Sequence, residues 1–146
     1  MRKINYIVVH CSATREGCTL TSEALEAEHR RRGFRTTGYH YYIRRDGTVL
    51  GTRSLELPGA HCRGHNKYSI GICYEGGLDA RGNPKDTRTP EQRSALHLLV
   101  YQLLQQFRNG RVCGHRDLSP DLDGDGTVEP WEWVKQCPCF EVSKEF

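Results

Sequence analysis

The stretch Ile4-Asn5-Tyr6-Ile7-Val8-Val9-His10 decides the fold of this 146-residue chain. It is apolar almost throughout and alternates little, as is typical of a central β-strand that is covered on both faces. Such strands occur in α/β sheets, where functional side chains gather at the carboxyl ends of the strands. We therefore expect a buried strand here, with the His10 imidazole at its functional end.

Two stretches carry the signals of helices. Thr21 and Ser22 can cap a helix that runs to about Arg32, and Gly33 ends it. Thr89-Pro90-Glu91-Gln92 offers an N-cap, a proline at the first helical position and a capping-box glutamine, while Asn109-Gly110 stops this second helix. Its apolar residues fall on one stripe at helical spacing: Leu96, Leu99, Val100, Leu103, Leu104 and Phe107.

A β-hairpin is predicted around Asp46-Gly47, between the aromatic run 39–45 and the segment 48–50. Alternation along the first arm would place Tyr39, Tyr41 and Ile43 on one face, and His40 and Tyr42 on the other. Further strands are expected at 69–74 and 111–113, and a surface loop at 78–88. The predicted fold class is α/β, a single domain over 1–146 with a central mixed β-sheet flanked by helices.

Composition excludes several classes of protein. Hydrophobic residues make up 36% and charged residues 27%, and the net charge is only +3, without the basic and aromatic pattern of a nucleic-acid module. No segment approaches the roughly 20 apolar residues of a membrane span, and the start of the chain does not resemble a signal peptide. We expect a monomer made in the cytoplasm, with no nucleic acid or membrane partner. Its seven cysteines are then reduced thiols or metal ligands.

Two segments near the C-terminus contain candidate metal ligands. Gly114-His115-Arg116-Asp117 supplies an imidazole, and Lys135-Gln136-Cys137-Pro138-Cys139 supplies two thiols. Together with His10 they offer two histidines and a cysteine, a ligand set for a catalytic zinc that keeps a fourth position open for water. The residues alone leave the choice between Cys137 and Cys139 open.

The connecting loop 121–132 matches the pattern of an EF-hand calcium loop. Acidic residues stand at positions one, three, five and twelve, and glycine at six, so that the candidate calcium ligands are Asp121, Asp123, Asp125 and Glu132. Pro130 and two tryptophans are unusual in such a loop, and no entering helix is evident. The alternative is a solvated acidic turn that needs no ion.

Taken together, these motifs make the chain similar to a known family. It resembles the type 2 N-acetylmuramoyl-L-alanine amidases, which share a fold with the peptidoglycan recognition proteins, and it is most similar to the short phage lysozymes of the amidase type. The resemblance covers almost the whole length and rests on five motifs in the family's order: 9–14, 38–41 with 45–49, 61–66 with 69–72, 114–115, and 135–138 with Phe140.

The resemblance implies a function and a set of site residues. It implies a zinc-dependent peptidoglycan hydrolase that cleaves the amide between N-acetylmuramic acid and the L-alanine of the stem peptide. The zinc ligands would be His10, His115 and Cys137, and the catalytic side chains Tyr39 and Lys135. The segment 61–66 would line the substrate groove, through His61, Arg63, His65 and Asn66.

Departures from the family pattern leave alternatives open. Many of these amidases carry a glutamate where this chain has Cys73, which shifts catalysis onto Tyr39 and Lys135 and leaves the role of Glu75 undecided. The non-catalytic recognition proteins lose the cysteine ligand, whereas this chain keeps Cys137. The alternatives are a peptidoglycan-binding module without hydrolysis and a calcium-regulated interaction domain. An enzyme without an export signal would need phage-like assisted release to reach the cell wall.

Overall fold

The computed structural model describes residues 1–146 and is organised around a five-stranded sheet. The strands are β1 (Tyr6–Cys11), β2 (Thr14–Arg15), β3 (Tyr41–Ile43), β4 (Val49–Gly51), β5 (Ser69–Tyr74), β6 (Gly77–Leu78) and β7 (Arg111–Gly114). The main sheet has the order β4-β3-β5-β1-β7, and only β3 and β4 are antiparallel, while β2 and β6 form a separate parallel pair. The predicted mixed α/β fold is confirmed.

The strand β1 lies at the centre of the parallel part of the sheet, as its apolar run predicts. Ile7, Val8 and Val9 are fully buried. Its neighbours are β5, which pairs His10 with Cys73, and β7, which pairs Val9 with Gly114. Since β7 ends at this pair, the residue that follows it is delivered to the same edge of the sheet as His10.

The helices α1 (Ser22–Arg31) and α2 (Pro90–Gln106) cover the sheet and agree closely with the predicted bounds. The α2 capping box is present, because Thr89 Oγ1 accepts from Gln92 N at 3.1 Å and Gln92 Oε1 accepts from Thr89 N at 3.0 Å. The predicted apolar stripe of α2 packs into the main core, whereas Leu25 of α1 belongs to a smaller cluster with Tyr42 and Cys73. Neither helix is both long and apolar enough to cross a membrane.

The predicted face of Tyr39 is wrong. Alternation holds only within an extended strand, and β3 begins at Tyr41. Tyr39 therefore packs against the cluster that contains Tyr42, while Tyr41 and Ile43 belong to the main core on the other side. This displacement brings the Tyr39 ring next to His10, with 5.0 Å between ring centroids.

The segment 78–88 is more ordered than a plain surface loop. Leu78 pairs with Arg15 in the two-stranded sheet and forms an antiparallel bridge to Pro84. The Asp79 carboxylate accepts hydrogen bonds from the backbone of Arg81 and Asn83, so local polar contacts close the turn. This arrangement places Leu78 and Pro84 at the rim of the cleft described next.

Candidate metal centre and substrate cleft

Three candidate metal ligands converge at the carboxyl edge of the sheet. His10 is the penultimate residue of β1, His115 directly follows β7, and Cys137 belongs to the C-terminal segment. Their candidate ligand atoms all lie within 4.8 Å of one another, and the two imidazole centroids are 4.6 Å apart. Zinc bonds are about 2.0–2.3 Å long, so a donor set of this size and composition fits one tetrahedral zinc with an open position.

Backbone contacts hold Cys137 in this place. The Cys11 N–H donates to Cys137 Sγ at 3.2 Å, and the Arg116 N–H donates to the Cys137 carbonyl at 2.9 Å. One residue later, the Tyr74 hydroxyl donates to the Pro138 carbonyl at 2.6 Å. The segment is thus tied to the ends of β1, β5 and β7 at once.

Cys139 lies outside the ligand group. Its thiol donates to the Gly77 carbonyl at 3.4 Å and lies 4.0 Å from the thiol of Cys11. The structure therefore brings Cys137, and not Cys139, together with His10 and His115.

The His10 ring is buried, with 1% of its surface exposed. Burial lowers the pKa of His10 well below its ordinary value, and the neighbouring His61 lowers it further. The ring is therefore neutral at pH 7, which is the form of histidine that binds metals.

Tyr39 and Lys135 both lie at the candidate metal centre. Burial raises the pKa of Tyr39 well above its ordinary value, and the nearby Cys73 thiol raises it further, so the hydroxyl stays protonated at neutral pH. Lys135 is exposed at the mouth of the cleft. His29 supports Tyr39, because its Nδ1 accepts from the Gly38 N–H at 2.8 Å and its ring lies against the tyrosine.

Two clefts meet at the candidate ligands. One has a volume of about 590 Å³ and contains all three ligands together with Tyr39, His61 and Lys135. The second has a volume of about 570 Å³ and shares His115, Val134 and Lys135 with the first. A ligand that spans both clefts would therefore pass directly over the candidate metal ligands.

The residues of the segment 61–66 lie in different places relative to the two clefts. His61 lies in the first cleft, while Arg63 and His65 line the second. Asn66 lines neither cleft. Its Oδ1 instead accepts hydrogen bonds from the backbone N–H groups of His61 and Cys62 at 2.9 Å each. Three of the four predicted groove residues are thus brought to the clefts, and the fourth holds the loop that carries them.

Glu75 has a structural environment. It is 1% exposed, and its carboxylate accepts from the Leu20 N–H at 2.7 Å, from Arg44 Nε at 2.9 Å and from the Arg45 N–H at 3.0 Å. These contacts join the end of β5 to the hairpin and to the entry of α1. The Glu75 carboxylate therefore does not face the candidate ligands.

Asp117 and His40 also have structural contacts near the site. The Asp117 carboxylate accepts from the Gly114 N–H at 2.7 Å and so closes the turn before it. His40 accepts from the Gly71 N–H with Nδ1 at 3.1 Å and contacts the Leu57 carbonyl with Nε2 at 2.8 Å. Both side chains stabilise the backbone around the site.

His29 and Arg32 also line the first cleft, although neither is among the predicted site residues. The available signal was the basic run Arg30-Arg31-Arg32, which is equally typical of a solvated helix end. Its last member reaches the cleft because α1 ends beside Tyr39.

The acidic loop 121–132 forms two overlapping groups of carboxylates whose oxygens lie within 4.8 Å of one another. They are Asp121, Asp123 and Glu132, and Asp123, Asp125 and Glu129. The loop ends in a single 3₁₀ turn, Pro130–Glu132. The Glu132 and Asp125 side chains beside it raise the pKa of Glu129 to about 8. Glu129 occupies position nine of the predicted calcium pattern.

Comparisons with known proteins agree with this architecture. The N-acetylmuramoyl-L-alanine amidase family matches residues 1–138. The endolysin of Klebsiella phage KP32 is 34% identical over 143 residues, which are 98% of this chain and 85% of the endolysin. The amidase LysC from Clostridium intestinale URNW superposes with a TM-score of 0.75 at 26% identity, covering 99% of this chain and 82% of LysC.

The recognition proteins share the fold as well. PGRP-SA of Apis mellifera superposes with a TM-score of 0.73 at 21% identity, over 99% of this chain and 82% of its own length. This second likeness concerns the fold alone, whereas the family match and the endolysin identity extend across the ligand-bearing segments. On that evidence, the chain belongs to the N-acetylmuramoyl-L-alanine amidase family.

Proposed function

We propose that this protein is a zinc-dependent amidase that cleaves peptidoglycan between the lactyl group of N-acetylmuramic acid and the L-alanine of the stem peptide. The observation that carries the proposal is the convergence of His10, His115 and Cys137 within 4.8 Å at the meeting point of two clefts. A bound zinc would supply an activated water and a Lewis acid for the scissile carbonyl.

The side chains of this protein would then position the substrate and stabilise the developing charge. Attack on the amide carbon produces an oxyanion, and the best donors for it are groups already held in place. The Tyr39 hydroxyl is a neutral donor beside His10, with its ring centroid 5.0 Å from that of the histidine. The Lys135 ammonium lies where the two clefts join, so it can donate to the oxyanion or to the leaving amine.

Arg63 and His65 give the second cleft donors for a polar substrate. The peptide and the glycan lie on opposite sides of the scissile bond, so each can occupy one of the clefts that meet at His115. His61, by contrast, is buried against His10 and has little surface left for substrate.

The decisive experiment is digestion of purified peptidoglycan followed by end-group analysis. New L-alanine amino termini are expected, without new reducing sugars. New reducing sugars would instead indicate a glycosidase. Sedimentation with the peptidoglycan but no released product would favour a non-catalytic binding module, for which the shared fold of the recognition proteins is the supporting observation.

The acidic loop leads to a prediction about calcium. An ion held by Asp121, Asp123, Asp125 and Glu132 would remove the repulsion among these carboxylates and fix the loop between His115 and Lys135. In protein kept saturated with zinc, millimolar calcium is expected to raise the melting temperature by several degrees, because about 2.7 kcal/mol of stabilisation follows when calcium is at 100 times its Kd.

The rise should vanish in Asp121→Ala and in Glu132→Gln. Indifference of the wild-type protein to millimolar calcium would identify the loop as an acidic turn closed by its own backbone hydrogen bonds. Several of these are present, since the Asp121 carboxylate accepts from the N–H groups of Gly124 and Gly126 at 3.0 and 2.7 Å.

A further inference from the structure

The candidate ligand His10 is connected to a buried chain of two hydrogen bonds. His10 Nε2 lies 2.8 Å from His61 Nδ1, and His61 Nε2 lies 3.1 Å from Ser69 Oγ. All three residues are buried, with 1%, 9% and 0% of their surfaces exposed. The site chemistry described above requires only the ligand nitrogen of His10. It assigns no role to the hydrogen bonds that join His10, His61 and Ser69.

The His61 ring fits a slot shaped by glycines. A Cβ atom on Gly59 would lie 2.5 Å from His61 Cδ2, and one on Gly71 would lie 2.6 Å from the same atom. Real Cβ contacts of this length do not occur, so any larger residue at either position would displace the ring. The Asn66 side chain fixes the backbone of His61, because its Oδ1 accepts a hydrogen bond from the His61 N–H. The imidazole is thus held in one orientation by its surroundings.

The direction of the His10–His61 bond determines which nitrogen of His10 can bind a metal. A neutral imidazole has one N–H and one acceptor nitrogen. If His61 donated from Nδ1, His10 would accept on Nε2 and carry its own proton on Nδ1, so both nitrogens would be occupied. If His10 donates from Nε2, its Nδ1 lone pair is free, and His61 passes its own Nε2–H on to Ser69 Oγ.

We propose that His61 is a positioning residue that accepts the Nε2–H of His10 and thereby presents the Nδ1 lone pair to the metal. The proposal rests on the proposed function, since it concerns how the metal centre of that enzyme is held. Histidine ligands usually donate their second N–H to a carboxylate, a carbonyl or a water. In this protein the imidazole of His61, which is itself hydrogen-bonded to Ser69, takes that place. His61, which the sequence predicts to bind substrate, would therefore support the metal instead.

The proposal is tested on zinc affinity and on the tautomer of His10, neither of which requires substrate. His61→Phe fills the slot without an acceptor, and we expect it to raise the zinc Kd by about 10–100-fold. His61→Asn can place an amide oxygen near the former Nδ1, and should recover most of that loss. His97→Phe removes an exposed imidazole from α2 and should leave the Kd unchanged.

Nitrogen-15 NMR of the metal-free wild-type protein provides the second measurement. We expect the His10 proton on Nε2 and the His61 proton on Nε2. A proton on His10 Nδ1, or a zinc Kd in folded His61→Phe equal to that of the wild type, would overturn the proposal. The tautomer needs no variant, so it decides the matter even if His61→Phe does not fold. Failure of the wild type to cleave peptidoglycan would refute the proposed function and leave these measurements intact.

Discussion

Replacing Cys137 by serine should abolish cleavage of peptidoglycan and reduce the zinc content from about one per chain to a trace. A catalytic zinc site with three protein ligands has none to spare. The ligand form of cysteine is the thiolate, and a serine hydroxyl remains protonated at neutral pH. In addition, the Cys11 N–H that donates to Cys137 Sγ would lose its sulfur acceptor. His10→Ala and His115→Ala should have the same result.

Cys139→Ser is the matched control for this prediction, because the two cysteines are neighbours in sequence and differ in their contacts. The thiol of Cys139 contacts Gly77 and Cys11, so its replacement should leave the zinc content unchanged. Cys18→Ser, at an exposed site, should leave both zinc and activity unchanged. Loss of zinc in Cys139→Ser with retention in Cys137→Ser would refute the assignment, as would full activity of rigorously zinc-free wild-type protein.

Much of the fold follows from local patterns in the sequence. The apolar run 4–9 predicts a central strand because both of its faces are covered, and β1 is indeed bounded by β5 and β7. The α2 helix is predicted from Thr89 onward because its cap, its proline and its apolar stripe agree with one another. These signals depend on neighbours within one or two turns, which a sequence displays directly.

The position of Tyr39 could not be predicted in this way. The aromatic run 39–45 suggests one continuous strand, yet pairing with β5 begins only at Tyr41. Where a strand begins depends on its partner, and here the hydrogen bond from the His40 N–H to the Gly71 carbonyl of β5, at 2.9 Å, marks the start of the pairing. A tertiary contact therefore decides on which side of the sheet the Tyr39 side chain lies.

Contacts between residues that are distant in the sequence could not be predicted either. His61 and His10 are 51 positions apart, and no periodicity relates them. The family resemblance predicts that the segment 61–66 lines the substrate groove. Only the fold reveals that the imidazole of His61 is buried against His10. The same holds for Glu75, whose partners Leu20 and Arg44 come from two other elements.

The choice between Cys137 and Cys139 illustrates the same limit. Two thiols separated by one residue offer identical chemistry to a sequence-based argument. Their environments differ because Cys137 accepts hydrogen bonds from the backbone N–H groups of Cys11 and Arg116, at the ends of β1 and β7. The structure therefore supplies the reason for a preference that rested only on family resemblance.

Tyr39→Phe and Lys135→Met should each lower kcat by about 100-fold or more while the zinc content stays at the wild-type level. Removal of one donor from a developing oxyanion typically has an effect of this size. Phenylalanine keeps the ring that packs between His10 and His29, so the metal centre should persist without the hydroxyl. Methionine keeps most of the length of the lysine side chain and removes its charge and its donors.

Two controls and a metal measurement distinguish catalysis from support of the site. Tyr101→Phe, at a 63% exposed position of α2, and Lys144→Met, near the C-terminus, should retain wild-type kcat. If zinc content falls in proportion to activity in Tyr39→Phe or Lys135→Met, the residue supports the metal centre structurally. If kcat is unchanged and only KM rises, the side chain binds ground state and transition state equally, and its role as a donor to the oxyanion is wrong.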